Sequence, residues 1–214
     1  RERIERHLKQ RTMILSGVSH DLRTPITRLK LGLSFLSKEQ REPLEKDVED
    51  MNLLLNEFLD FAKLENETET PIEDTNPSML IDELIESFQR SNIEIKTIGE
   101  IGNILIKLKP FAIKRALENL INNANRYGEN ILIEKKIENN FLIFSVHDDG
   151  PGIDEAHYEE VLQPFTRLDP SRNQNKGSGV GLGLPIAKEI AEGQGGSLRL
   201  SKSDILSGLN AALI

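Results

Sequence analysis

The chain contains no cysteine and no tryptophan, and aromatic residues make up only 5% of its 214 positions. Without cysteine there can be no disulfide, thiolate zinc site or thiol nucleophile, a usage that fits a reducing compartment. With few rings available, any core must be built from aliphatic side chains. No apolar run approaches the length of a membrane span and no signal peptide opens the chain, so this stretch is expected to make no membrane contact of its own. Positive charge is also short, with 27 Lys and Arg against 35 Asp and Glu, a formal charge of -8. That balance argues against nucleic acid or an anionic bilayer as a bulk partner. An anionic small molecule would need a local basic patch. What remains is the composition of an ordinary globular protein, 37% hydrophobic and 29% charged, with room for one large domain or two modest ones.

The opening RERIERHLKQRT is charged and helix-prone without an obvious cap, as if it continued a longer helix. Apolar residues then fall at Leu15, Val18, Leu22, Ile26, Leu29, Leu33 and Leu36, steps of three and four that describe one helical stripe. The polar run 37–42 predicts a turn. A second stripe follows at Leu44, Val48, Met51, Leu55, Phe58 and Ala62. Two helices enclose little core, so the hairpin over 1–66 is expected to dimerise into a four-helix bundle.

Residues 67–76 are rich in Glu and Thr and read as a linker. From 77 to 214 the periodicity alternates. Residues 78–88 are helical, 93–98 and 104–108 are strand-like, and Pro110 opens a helix running to about Arg126. Runs 130–138 and 141–148 form a hairpin around Asn139-Asn140. A glycine-rich stretch leads into a helix over 184–192, followed by strands near 197–201 and 209–214. This mixed order predicts a two-layer α/β sandwich, giving an α plus α/β chain overall.

His20 lies two residues from both Val18 and Leu22, about 200° away around the helix, and so faces away from the stripe. A core histidine is thereby disfavoured, and a plain surface histidine is the simple alternative. The neighbours argue for more. Asp21 can accept from one ring nitrogen and leave the other lone pair as a nucleophile. Thr24 lies one turn on, on the same face. Pro25 removes a helix hydrogen bond beside the nucleophile and is expected to loosen the helix there.

Asn119 and Asn123 are four apart, with Asn122 between them, just before Arg126 and Tyr127. Their amides share a helix face that could hold a hydrated Mg²⁺ beside phosphates, although a polar helix face needs no such role. Asp148-Asp149-Gly150-Pro151-Gly152 ends a strand, where a carboxylate can accept an adenine amine and glycines let the backbone approach the base; a simple turn is the alternative. Gly177 to Leu184, with Gly179, Gly181 and Gly183, opens a helix whose free N–H groups suit phosphate. The spacing is neither a P-loop nor a dinucleotide fingerprint. Arg167, Arg172 and Lys176 supply the local positive charge, within a polar stretch from Phe165 to Gly179 expected of a lid.

The segment Ser19-His20-Asp21-Leu22-Arg23-Thr24-Pro25 resembles the phosphoacceptor box of sensor histidine kinases, bacterial two-component enzymes. Asn119 to Tyr127, Asp148 to Gly152, Gln163-Pro164-Phe165 and Gly179 to Leu184 resemble, in order, the N, G1, F and G2 boxes of that family's Bergerat-fold ATP-binding domain. SHDLRTPITRL, NANRYG and DDGPGI are most similar to the EnvZ-like osmosensor kinase group. The resemblance implies an ATP- and Mg²⁺-dependent homodimer in which His20 takes the phosphoryl group and Asp21 acts as base. Thr24 would support dephosphorylation of the partner, an OmpR-like receiver domain of a response regulator. It implies Asn123 as the Mg²⁺ ligand and Asp148 as the adenine contact. Asn119, Arg126, Tyr127, Gly150, Phe165, Leu182 and Leu184 would complete the nucleotide site. The fragment would be cytoplasmic, with the full-length protein anchored in the bacterial inner membrane. A water-activating ATPase of the same fold is the rival, but it needs a Glu where Asn119 stands, and Glu118 lies about 100° away. A non-catalytic scaffold is the other rival, and no nucleotide motif looks lost.

Overall fold

The computed structural model describes residues 21–63, 71–168 and 181–214, with only the backbone at 53 and 57–63. Helix α1 is described over 21–33 and continues through Pro25; α2 spans Lys38–Lys63. The turn is therefore 34–37 and not the predicted 37–42. The polar run is a helix start: Gln40 and Arg41 N–H groups bond the Ser37 carbonyl at 3.1 and 2.9 Å, and the Ser37 hydroxyl donates to Gln40 Oε1 at 3.1 Å. Ser-x-x-Gln is a capping-box pattern. Ion pairs Lys38–Glu42 (3.6 Å) and Arg41–Glu45 (3.4 Å) continue the helix past that cap. Pro43 is accepted inside the helix at the cost of one backbone bond.

Within the hairpin the stripe divides. Ile26 and Leu33 of α1 and Val48 and Leu55 of α2 are buried together. Leu22, Leu29 and Leu36, and Leu44 and Met51, remain exposed. Members of each set stand seven apart along their segment, with Leu36 already in the turn, the spacing of two adjacent coiled-coil seams. Arg23 Nη2 donates to Asn56 Oδ1 across the hairpin at 3.0 Å. Of the predicted stripe, Leu15 and Val18 and the side chains of Phe58 and Ala62 lie outside the described residues.

The remaining elements are β1 (Glu73–Thr75), α3 (Pro77–Gln89), β2 (Ile95–Ile98), β3 (Ile106–Leu108), α4 (Pro110–Tyr127), β4 (Ile131–Glu138), β5 (Phe141–Asp148), α5 (Tyr158–Val161), α6 (Gly183–Gly193), β6 (Leu198–Lys202) and β7 (Leu209–Leu213). A 3₁₀ turn at Glu155–His157 precedes α5; neither was foreseen. The linker reading fails for 73–75, which pair antiparallel with β3 as Glu73↔Leu108 to Thr75↔Ile106. Asn76 then caps α3, its Oδ1 accepting from Ser78 and Met79 N–H at 2.9 and 3.2 Å, with Pro77 in the first turn.

The main sheet runs β2-β4-β5-β7-β6, with β2 parallel to β4 and the other pairs antiparallel. Asn139 and Asn140, at φ 52° and 66°, turn the β4–β5 hairpin with both central residues left-handed. Ile81 and Leu84 of α3, Leu117 and Ile121 of α4 and Ile186 of α6 close an aliphatic core against Ile133 and Phe144 of the sheet. Helices over a sheet give the predicted two-layer sandwich.

Candidate functional site

Helix α4 is amphipathic: Ala116, Leu117, Leu120, Ile121 and Ala124 sink into the core. Its opposite side walls a cavity of about 1130 Å³. Asn119, Asn122, Asn123, Arg126 and Tyr127 line that wall, as the four-residue spacing requires. Asn119 Nδ2 donates to the Arg115 carbonyl at 2.9 Å, which turns its Oδ1 outward as a potential oxygen ligand. Asp148 and Gly152 form the floor, and Arg167, Gly181, Gly183 and Leu184 the far side. Sequence segments as far apart as Arg115 and Leu209 thus meet at one concave surface.

Asp148 ends β5 and is 3% exposed. Both of its side-chain hydrogen bonds fall on Oδ1, from Gly150 N–H at 2.9 Å and Leu209 N–H at 3.1 Å. Oδ2 is left for a donor in the cavity. Burial pushes the Asp148 carboxyl above the usual carboxylate range, opposed by those two N–H groups. Its neighbour Asp149 behaves oppositely. Its carboxylate takes the Asn130 side-chain amide at 2.6 Å, Glu129 N–H at 2.7 Å and Asn130 N–H at 3.0 Å. These bonds, led by the Asn130 side chain, hold its pKa down to about 2. Asp149 therefore ties the end of α4 to the end of β5, the two walls that carry Asn123 and Asp148.

Helix α6 starts at Gly183 with no side-chain cap, so its first N–H groups are available beside the cavity. Gly181 has φ 77°, and a Cβ there would collide with the Thr166 carbonyl, so only glycine fits. Phe165 N–H bonds the Gly181 carbonyl at 3.1 Å, joining the segment after α5 to the glycine segment.

Three predicted contacts are not on the cavity wall. Leu182 is fully buried in the core, where it anchors the α6 start, and the Phe165 ring is exposed outside the wall. Gly150 acts through Asp148 by its N–H. Arg172, Lys176 and Gly179, like His20, lie outside the described residues. Asp21 and Thr24 are exposed on α1, and Thr24 lines a shallow surface recess with Arg23, Thr27, Arg28 and Leu31.

The apolar side of the cavity, with Ile153, Val161, Leu168, Ile186 and Leu209, was not anticipated. Apart from Ile153, which ends the DDGPGI segment, its residues carry no motif, and the fold gathers them. Glu118 also reaches the wall despite its rotation from Asn119, and burial raises its pKa against the pull of Lys114 and Arg115. An apolar cavity side, a buried carboxylate, an uncapped helix start and neutral amide oxygens fit the chemistry of a nucleotide. Among the described residues no group of three or more His, Asp and Glu is placed to hold a metal ion.

Residues 10–67 match the His Kinase A (phospho-acceptor) domain, and residues 109–209 the histidine kinase-, DNA gyrase B- and HSP90-like ATPase family. The solved kinase domain of the Escherichia coli osmosensor EnvZ is 36% identical, with a TM-score of 0.51, covering 68% of this chain and 88% of that one. The chain belongs to the sensor histidine kinase family. Among curated family members, sensor histidine kinase GtrS of Pseudomonas aeruginosa is 34% identical over 93% of the chain. Sensor protein RstB of E. coli is 30% identical over 92%. The chain spans 41% and 47% of those two kinases' lengths, less than half of each. Full-length ShkA, solved with AMPPNP, has a TM-score of 0.65 at 24% identity, covering 94% of this chain and 44% of that one, a likeness of fold. No helix of the described residues is long and apolar enough to cross a membrane.

Proposed function

We propose that this chain is the catalytic core of a homodimeric sensor kinase that phosphorylates itself on His20 from ATP and passes the phosphoryl group to an aspartate of a response regulator. The observation that carries this reading is Asp148. It is a buried carboxylate with one oxygen fixed by two backbone N–H groups and the other left to the cavity, an arrangement suited to an exocyclic adenine amine. The triphosphate then runs toward the start of α6 and Arg167, with Arg126 and Tyr127 on the α4 side. Arg172, Lys176 and Gly179 would add donors from the lid. Asn123, supported by Asn119, would hold Mg²⁺, which neutralises charge building on the transferred phosphoryl group.

In the transfer, a ring nitrogen of His20 attacks the γ-phosphorus, the bond to the bridging oxygen breaks, and ADP leaves. Asp21 orients the imidazole and takes the displaced proton. The phosphorylated histidine then faces a carboxylate of the regulator, read as an OmpR-like receiver domain, which takes the group in a second in-line step. Thr24, one helical turn from His20, would place water in line with that aspartyl phosphate for its hydrolysis to inorganic phosphate and free aspartate, a separate phosphatase reaction. The exposed seam Leu22, Leu29, Leu36, Leu44 and Met51 supports a second copy closing the four-helix bundle. A membrane anchor would lie outside this fragment.

Hydrolysis is the second reading, favoured by Glu118 on the cavity wall with its raised pKa. Incubation with γ-labelled ATP separates the two. Acid-labile, alkali-stable label on the protein supports the kinase, and free phosphate without protein label supports the ATPase.

A further inference from the structure

Behind the cavity floor, β5 carries a histidine that no nucleotide motif uses. His147 is 4% exposed and Ser203 2% exposed, and His147 Nδ1 lies 3.0 Å from Ser203 Oγ. Leu206 N–H donates to the same Oγ at 2.9 Å. The hydroxyl and Nδ1 thus share one buried hydrogen bond, whose direction is set by the imidazole tautomer. Nε2 is buried with no hydrogen-bond partner; Glu134 Oε2 is 3.9 Å away. The charged groups around the ring are Glu134 and Lys136 of β4 and Asp204 of the turn, while β7 presents Asn210 across the register. Burial, the largest influence, holds the ring neutral against the pull of Glu134 and Asp204.

Ser203 closes a turn whose other end holds Asp148. Ser203 N–H bonds the Gly208 carbonyl at 2.8 Å, and Ser207 N–H bonds the Ser203 carbonyl at 3.0 Å. Gly208 N–H then bonds the Asp148 carbonyl at 3.1 Å, and Leu209 N–H bonds Asp148 Oδ1 at 3.1 Å. The approach is so close that a Cβ at Gly208 would collide with Asp148 Oδ1 and with the Asp148 backbone carbonyl oxygen. We propose that His147 and Ser203 are positioning residues for nucleotide binding: their buried hydrogen bond fixes the 203–208 turn, and the turn aims the Asp148 carboxylate at its ligand. The inference rests on the reading of Asp148 as the adenine contact. It extends the site to side chains on the far side of β5 that never touch nucleotide.

The test is titration of the full chain with AMPPNP, beside steady-state autophosphorylation. Ser203→Ala and His147→Leu each leave a buried polar group unpaired and free the turn, so the Kd and the KM for ATP should rise about tenfold while kcat stays within about twofold. His147→Asn, whose Oδ1 falls near the place of Nδ1, should recover affinity to within about threefold of the parent. Parent-like affinity in Ser203→Ala overturns the proposal, as does equal loss in His147→Asn and His147→Leu. If His147→Leu fails to fold, the other two variants still decide. Asp148→Asn in the same series separates the layers. Weakening in that variant alone rejects the positioning role and leaves the nucleotide site standing, whereas no weakening in any variant rejects both.

Discussion

The helical hairpin and the α/β unit solve opposite problems with the same aliphatic residues. In the hairpin, burial stops at Ile26, Leu33, Val48 and Leu55, and a second seam of Leu22, Leu29, Leu36, Leu44 and Met51 stays in solvent. In the α/β unit, Ile81, Leu84, Ala116, Leu117, Ile121 and Ile133 are completely covered by their own chain. A two-layer sandwich can finish its core alone, whereas two helices cannot. The difference suits the proposed function. On that reading a nucleotide is enclosed, with a carboxylate held dry enough to discriminate its partner, while a phosphoacceptor is presented first to the ATP-binding unit and then to a regulator.

Breaking the comparison at the displayed residue should give the largest effect. His20→Gln should abolish covalent labelling from ATP while AMPPNP still binds, because the cavity is built wholly from 115–209. Retained labelling in that variant would place the acceptor elsewhere. Next comes the seam. Leu29→Glu puts a charge at an exposed position that a second copy should cover, so sedimentation should shift from dimer to monomer with the α/β unit still folded. A dimer that survives the change would move the interface off this seam.

In the enclosed region, Asp148→Asn should weaken ATP by about 1.5–3 kcal/mol through loss of a charge-assisted bond. The same carboxyl should make binding acid-sensitive. Its folded pKa is raised by burial, so it protonates at higher pH than an ordinary carboxylate, and nucleotide affinity should fall on that limb. Asp149 predicts the opposite window for stability. Its folded pKa is held at about 2 by Asn130 and Glu129, below the unfolded value. The stability it contributes is therefore full above the ordinary carboxylate range and lost as pH falls through about 2. Asp149→Ala should flatten that part of the acid-unfolding curve. The smallest effect on the kinase is expected from Thr24→Ala, with labelling of His20 kept and dephosphorylation of a receiver domain reduced. If both activities fall together, Thr24 only supports the helix.

Much of this was legible in the chain because the signals were local. Asn139-Asn140 accepts two left-handed residues, Pro110 can only open a helix, and the four-residue step from Asn119 to Asn123 survives in any packing. The failures were of two kinds. Ser37 to Glu42 looked like a turn because capping residues and exposed i,i+4 ion pairs share a polar composition with loops. Glu73 to Thr75 looked like a linker because a three-residue strand has too few side chains to show alternation, and its partner β3 lies about thirty residues on. At the site, motif residues were found and their directions were not. Leu182 belongs to a glycine-rich motif yet points into the core, and most of the apolar wall, Val161, Leu168, Ile186 and Leu209, belongs to no motif.

The central claim, that the enclosed cavity of one unit supplies His20 of the other, is tested most directly by locating the phosphoryl group. The full chain is incubated with Mg²⁺ and γ-labelled ATP, digested at alkaline pH, and mapped by mass spectrometry. The account predicts a single acid-labile phosphoryl group on the peptide containing His20. Label on another residue, or release of all the label as free phosphate, would contradict it.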